Sequence, residues 1–233
     1  ILNDVLKHLK GMDVISEKNK KISLSKIRNN VSDRDLLLEN LFKPKGENNH
    51  LFSHYYAWLV YRTGEPGSEN FTQLSPEKRA SLYNEELNPN SDDRKFNDTK
   101  ERSFRTWATY LGLGHLTLNS GGFLPMPLEA VERVLATKYP TGSDKPAKEI
   151  LKVLSKELPF IDGGAIFTQI CKELGTKKAI SPTLSACLRV LHDENRINLK
   201  STTDAPNQIQ LSIDRAHKIQ RDIYSITVMA LKD

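Results

Sequence analysis

The chain has 233 residues, with 34 Lys and Arg against 29 Asp and Glu, a net charge of +5 and 38% hydrophobic residues. That is an ordinary globular composition, and no apolar stretch approaches the ~20 residues that a membrane-spanning helix needs, so no membrane partner is expected. The length admits one large domain or two to three small ones. Positive charge gathers in residues 1–45 and 146–233, while 46–97 are acidic; so mild an asymmetry points only slightly toward nucleic acid.

At its start the chain places Leu2, Val5, Leu6 and Leu9 at helical spacing. It then switches to a period of two through Met12-Asp13-Val14-Ile15, turns at Ser16 to Lys20 and returns through Ile22, Ser23 and Leu24. That switch marks a helix running into a hairpin. The sequence opens at Ile1 inside the helical pattern, without an initiator methionine, so the first unit reads as truncated. Ser32-Asp33 can cap a helix through Leu36, Leu37, Leu38, Leu41 and Phe42, broken at Pro44 and Gly46. The aromatic run Leu51, Phe52, Tyr55, Tyr56, Trp58, Leu59, Val60 and Tyr61 predicts a buried helix shared by two units. Gly64, Pro66 and Gly67 mark a boundary. Pro76 to Leu87 reads as helix, and Asn88 to Asp93 as a mobile polar loop.

The helix-to-hairpin pattern then recurs. Phe104, Trp107, Ala108 and Leu111 share a face ahead of His115-Leu116-Thr117-Leu118, a turn at Asn119 to Gly122, and Phe123-Leu124. Pro125 to Pro127 lead into a helix carrying Leu128, Val131, Val134 and Leu135. Beyond a loop at Tyr139 to Ser143, helices are expected around Ile150, Leu151 and Leu154, and around Ile166, Ile170 and Leu174. Ser181-Pro182 reads as cap and first position of a third, with Leu184, Cys187, Leu188 and Leu191 inward. The third hairpin would pair Arg196 to Leu199 with Ile209 to Ile213 across a turn from Thr202 to Asn207. Ile223 to Leu231 reads as a final strand or helix. Three units follow: 1–63, a partial module with a helical extension; 64–140; and 141–233.

This helix–strand–polar turn–strand unit resembles the winged helix-turn-helix superfamily, and three copies resemble bacterial proteins of tandem winged-helix modules. The fold class expected is mainly α with short β-hairpins. Two bacterial groups share that build: the kite subunits of SMC-type DNA-loop complexes, and winged-helix components of phage-defence and DNA-modification islands such as DpdG. What the resemblance implies is a non-catalytic part of a larger DNA-handling assembly in the cytoplasm.

Candidate contacts follow from the polar faces. In the first unit Lys7, His8 and Lys10 lie on the helix and Lys18, Lys20 and Lys21 on the wing, with Arg28 just beyond; such cations can hold neighbouring phosphates or simply face solvent. The second helix offers Lys100, Arg102, Ser103, Arg105, Thr106 and Thr109, a set able to reach phosphates and base edges, ahead of an uncharged wing that suits packing or protein contact. In the third, Lys177 and Lys178 precede the helix and Arg189 and His192 lie along it. Contact there could run through the helix to DNA or through the wing to a partner.

An enzyme is not expected. His50 and His54 are four apart, yet no third ligand is evident, and a plain histidine pair is the alternative. Gly121-Gly122 and Gly163-Gly164 lack a phosphate-cradling pattern and read as turns. Cys171 and Cys187 sit on apolar helical faces and read as reduced core residues, with a disulfide between them as the alternative. Neither metal nor cofactor is expected. The aromatic run could stack on unpaired bases, but its apolar density suits a core. Three readings remain: a double-stranded DNA-binding regulator or subunit; a kite-like adaptor that dimerises and grips a partner chain; and a chain whose catalytic part lies elsewhere.

Overall fold

A computed structural model describes residues 15–18, 21–24, 34, 37–38, 47–63, 71–87, 96–117, 121–175, 180–201, 207–212 and 222–229, with the backbone path alone for 15–18, 21–24 and 47–50. The fold is mainly helical with short antiparallel strands. The helix expected ahead of the first hairpin, most of the one capped at Ser32-Asp33, and the loop Asn88 to Asp93 lie outside the described residues.

Strands β1 (Ile15–Lys18) and β2 (Lys21–Leu24) pair from Ile15↔Leu24 to Lys18↔Lys21. Ser16 to Lys18 therefore belong to the strand and not to the turn expected there. The shorter connection extends the ladder by backbone hydrogen bonds that a five-residue turn would forfeit.

Helix α1 (Glu47–Arg62) is the centre of the molecule. Tyr55, Tyr56, Ala57, Trp58, Leu59 and Val60 are each 0% exposed, so the helix is enclosed all round. On one side Tyr55 stacks on Phe96 with ring centroids 4.1 Å apart and meets Phe104 and Tyr83 edge-on at 4.8 and 5.0 Å. On the other, Tyr56 meets Phe160 edge-on at 4.9 Å, and the Tyr61 hydroxyl donates to the Leu174 carbonyl at 3.2 Å. Tyr56 also donates to the Leu113 carbonyl at 2.5 Å. Each such aromatic pair adds about 0.5–1.5 kcal/mol beyond the area it buries. One core runs from Leu38 to Val228, with α1 joining its two halves.

The first half continues with a 3-10 turn at Phe71–Gln73, α2 (Pro76–Leu87) and α3 (Asp98–Tyr110). Asn97 caps α3 by accepting from the Lys100 N–H, satisfying one of the donors a helix start leaves open. Strands β3 (Gly114–Leu116) and β4 (Phe123–Pro125) follow, paired through His115↔Leu124. Their hairpin is one residue offset from the sequence reading.

The second half holds α4 (Leu128–Lys138), entered from Pro127, then β5 (Asp144–Pro146), α5 (Ala147–Glu157), α6 (Ala165–Leu174) and α7 (Pro182–Asp193). Ser181 caps α7 with Pro182 at its start, as the sequence indicates, and Asp162 accepts from both the Ser181 N–H and hydroxyl, at 2.7 and 2.6 Å. Strands β6 (Ile197–Lys200), β7 (Ile209–Gln210), β8 (Asp222–Ile223) and β9 (Ser225–Val228) close the chain. Here the pairing departs from expectation. β6 pairs with β9, which lies between β5 and β6, while β7 pairs with β8. The physical reason is burial: β9 delivers Ile226 and Val228 fully into the core, whereas residues 207–212 are drawn against α7. Among the described residues no helix is long and apolar enough to cross a membrane.

Candidate nucleic-acid interface

A helix followed at once by a hairpin is offered to a partner only where its polar face stays open, and the two described copies differ in this. On α3, Glu101, Phe104 and Ala108 face inward, as does Leu111 just past its end. Lys100, Arg102, Ser103, Thr106, Trp107, Thr109 and Tyr110 face out.

α7 has no such face. Thr183, Leu184, Ser185, Cys187, Leu188, Arg189 and Leu191 are all buried. The segment 207–212 lies along it: the Ile180 N–H donates to the Gln210 carbonyl at 3.0 Å, the Ser212 N–H to the Ser185 hydroxyl at 2.9 Å, and Arg189 Nη2 to the Ser212 carbonyl. Leu211 is wholly buried there. Arg189 therefore holds this segment in place, and the expectation that it meets a duplex from α7 does not match its surroundings.

Arg105 is likewise drawn into the fold. Its Nε donates to Glu101 Oε2 at 2.9 Å and its Nη1 to the Gly121 carbonyl at 2.7 Å. Arg79 approaches from the other side, donating to Glu101 Oε1 from Nε at 2.9 Å, to the Gly121 carbonyl from Nη2 at 2.9 Å, and to the Leu74 carbonyl. Arg79 and Glu101 are both fully buried. One carboxylate thus holds two guanidiniums, and both clasp the turn of the β3–β4 hairpin. Gly122 sits so close beneath that a Cβ would lie 2.2 Å from the Thr72 carbonyl oxygen. This uncharged turn is a packed element of the fold. Tyr55 lies in the same interior, where burial first, and then Glu101, push its hydroxyl well above the usual phenol range.

Arg102 is 60% exposed and bonded to Glu77 at 2.9 Å, with Asp98 at 3.7 Å. Glu77 is held below the usual carboxylate range by its own backbone N–H, by Ser75 and by Arg102. Lys100 is exposed at the start of the same helix. Lys18 and Lys21 are opposite each other in the register at the closed end of the first hairpin. Lys7, Lys10, Lys20, Arg28, Lys177 and Lys178 lie outside the described residues.

The sequence reading missed one feature of α3. Trp107, expected in the core, is 49% exposed, and Tyr110 52%, their rings edge-on with centroids 6.0 Å apart. Leu116 and Leu124 on the adjoining hairpin are 53% and 39% exposed. The signal was present in the spacing. At ~100° per residue a strict three-residue step drifts backward, so Trp107 and Tyr110 rotate progressively away from Phe104, while Ala108 and Leu111 stay on its side.

The remaining candidates are structural. His54 is buried, with Nδ1 2.9 Å from the Tyr83 hydroxyl and Nε2 3.9 Å from Glu173. Among the described residues no cluster could hold a metal ion. Cys171 and Cys187 are free thiols; Cys187 is fully buried, which pushes its thiol well above the ordinary range, and its sulfur lies 3.8 Å from that of Met126. The aromatic run forms core, not a surface platform.

These features define a mainly helical α+β protein whose exposed helix–hairpin surface combines polar, basic and aromatic groups. The chain belongs to the DpdG-like family, which it matches over residues 7–205. No curated protein and no solved structure is significantly similar to it.

Proposed function

We propose that this DpdG-like protein is a non-catalytic, double-stranded DNA-contacting component of a bacterial defence or DNA-modification assembly, built on winged-helix modules and acting in the cytoplasm. Family membership supports the assembly, and the helix–hairpin order of α3, β3 and β4 supports the module. The observation that carries the reading is the open outer face of α3, where Lys100, Arg102, Ser103, Thr106 and Thr109 can reach phosphates and base edges. Lys18 and Lys21 at the closed end of the first hairpin are placed to add phosphate contacts.

Fluorescence anisotropy of the chain with a random-sequence duplex of about 30 base pairs, across a salt series, tests this. Micromolar or tighter binding that weakens steeply with salt is expected. Lys100→Glu/Arg102→Glu should weaken it, and Lys18→Glu/Lys20→Glu/Lys21→Glu should weaken it further. No binding at low salt overturns the reading.

A second reading, a kite-like adaptor that dimerises or grips a partner chain, is favoured by Trp107, Tyr110, Leu116 and Leu124. Exposed Trp and Tyr beside Arg make the kind of cluster that anchors protein interfaces. Light scattering that finds a concentration-dependent dimer, lost in Trp107→Ala/Leu116→Ser, would establish it in homodimeric form. A monomer at all concentrations that binds duplex would favour the first.

A further inference from the structure

Helix α5 carries a row of cations that has no part in the α3 surface. Its inner face is set by Ala147, Ile150 and Leu154, all 0% exposed. Lys148, Lys152 and Lys156 recur at four-residue steps and are all exposed. At ~100° per residue they fall diametrically opposite the buried stripe, and at ~1.5 Å rise per residue they stand about 6 Å apart over some 12 Å. Like charges at this spacing repel, costing a few tenths of a kcal/mol per pair in an isolated helix.

Nothing described in the fold offsets that repulsion. The two carboxylates of α5 are engaged by lysines outside the row: Glu149 by Lys145 at 3.8 Å and Glu157 by Lys138 at 2.9 Å. Asp144, just before the helix, holds Lys200 at 2.7 Å and is kept below the usual carboxylate range chiefly by it. Lys148 donates to the uncharged Asn207 side-chain oxygen at 3.2 Å, which leaves its charge intact. Among the described residues Lys152 and Lys156 have no side-chain partner.

We propose that this outer face of α5 contacts the phosphate backbone of duplex DNA, a proposal that rests on the DNA reading above and moves part of the contact to the second half of the molecule. The chemistry favours a phosphate polyanion over an acidic protein. Lysine is depleted at protein interfaces, which are anchored instead by aromatic residues and arginine, and the row contains neither. A duplex, carrying one charge per ~1.7 Å of axis, meets an evenly spaced row of point charges wherever it is laid. Since α7 is buried, this face joins that of α3 as a helical surface open to a duplex.

The test is duplex binding by the whole chain across a salt series, comparing wild type with Lys148→Gln/Lys152→Gln/Lys156→Gln and with the matching triple Arg variant. All three positions face solvent, so thermal unfolding should be unchanged in both variants. The Gln variant is expected to bind more weakly, with a log–log salt slope shallower by about 2–3, near 0.9 for each phosphate no longer neutralised, and the Arg variant to keep the wild-type slope. Wild-type binding with an unchanged slope in the Gln variant overturns this proposal and leaves the DNA reading standing. No wild-type binding overturns both. Displacement of the duplex by polyglutamate at equal charge overturns it in favour of an acidic protein partner.

Discussion

Glu101 is the residue on which the shape of the α3 surface depends. Its two oxygens are divided between Arg79 and Arg105, and through those guanidiniums it fixes the hairpin turn at Gly121. Removing one partner of a buried ion pair leaves the other charge without compensation, which costs more than the pair contributed. Glu101→Gln should therefore destabilise the chain by about 3–5 kcal/mol in urea unfolding, whereas Arg102→Gln, whose partners are solvent-exposed, should cost under about 1 kcal/mol. Equal effects would show that the buried cluster is not held by its charge. The sequence displays Arg79, Glu101 and Arg105 as three ordinary charges of amphipathic helices. That Arg105 binds the fold and Arg102 faces solvent depends on what packs opposite α3, and periodicity carries no record of the opposing element.

At the scale of the element, α3 and α7 look alike as sequences, since both place apolar residues at three- and four-residue steps before a hairpin. They differ in what happens beyond the hairpin. Residues 207–212 return over α7 and bury it, while the short turn after α3 leaves that helix open. The two tryptophans report on this directly. Trp58 is fully buried and bonded through its indole N–H to Glu86 at 2.8 Å, whereas Trp107 is half exposed. Acrylamide should quench the emission of Trp58→Phe, which retains Trp107, several-fold more efficiently than that of Trp107→Phe. Comparable quenching in the two would contradict an open α3 face, and strong protection of Trp107 on adding a partner would map the contact there. The exposure of Trp107 could have been read from its drift away from Phe104, but an apolar residue three positions along usually packs, and this one stays out because no described element is laid over it.

For the whole molecule, α1 is decisive. Its aromatic residues were expected to form a buried helix between units, and they do: Tyr55 and Trp58 pack toward α2 and α3, Tyr56 and Tyr61 toward α6. Because that single helix belongs to both halves of the core, the halves should unfold together. Urea unfolding followed by Trp fluorescence and by far-ultraviolet circular dichroism should give coincident single transitions for the residues after Glu47, and Tyr56→Ala should shift both by the same amount. Two separated transitions would show that the halves fold independently. Local sequence was enough for the mainly helical class, the span of α2, the Ser181-Pro182 start of α7, the buried character of α1 and the hairpin after α3, because each rests on residues near in the chain: caps, periodicity and turn chemistry. It took the folded chain to establish that β6 pairs with β9, that 207–212 cover α7, that Arg105 and Arg189 turn inward, and that Trp107 and the lysine row of α5 face out. Each of those is a choice among surfaces of similar composition, made by which element brings the larger apolar area to bury.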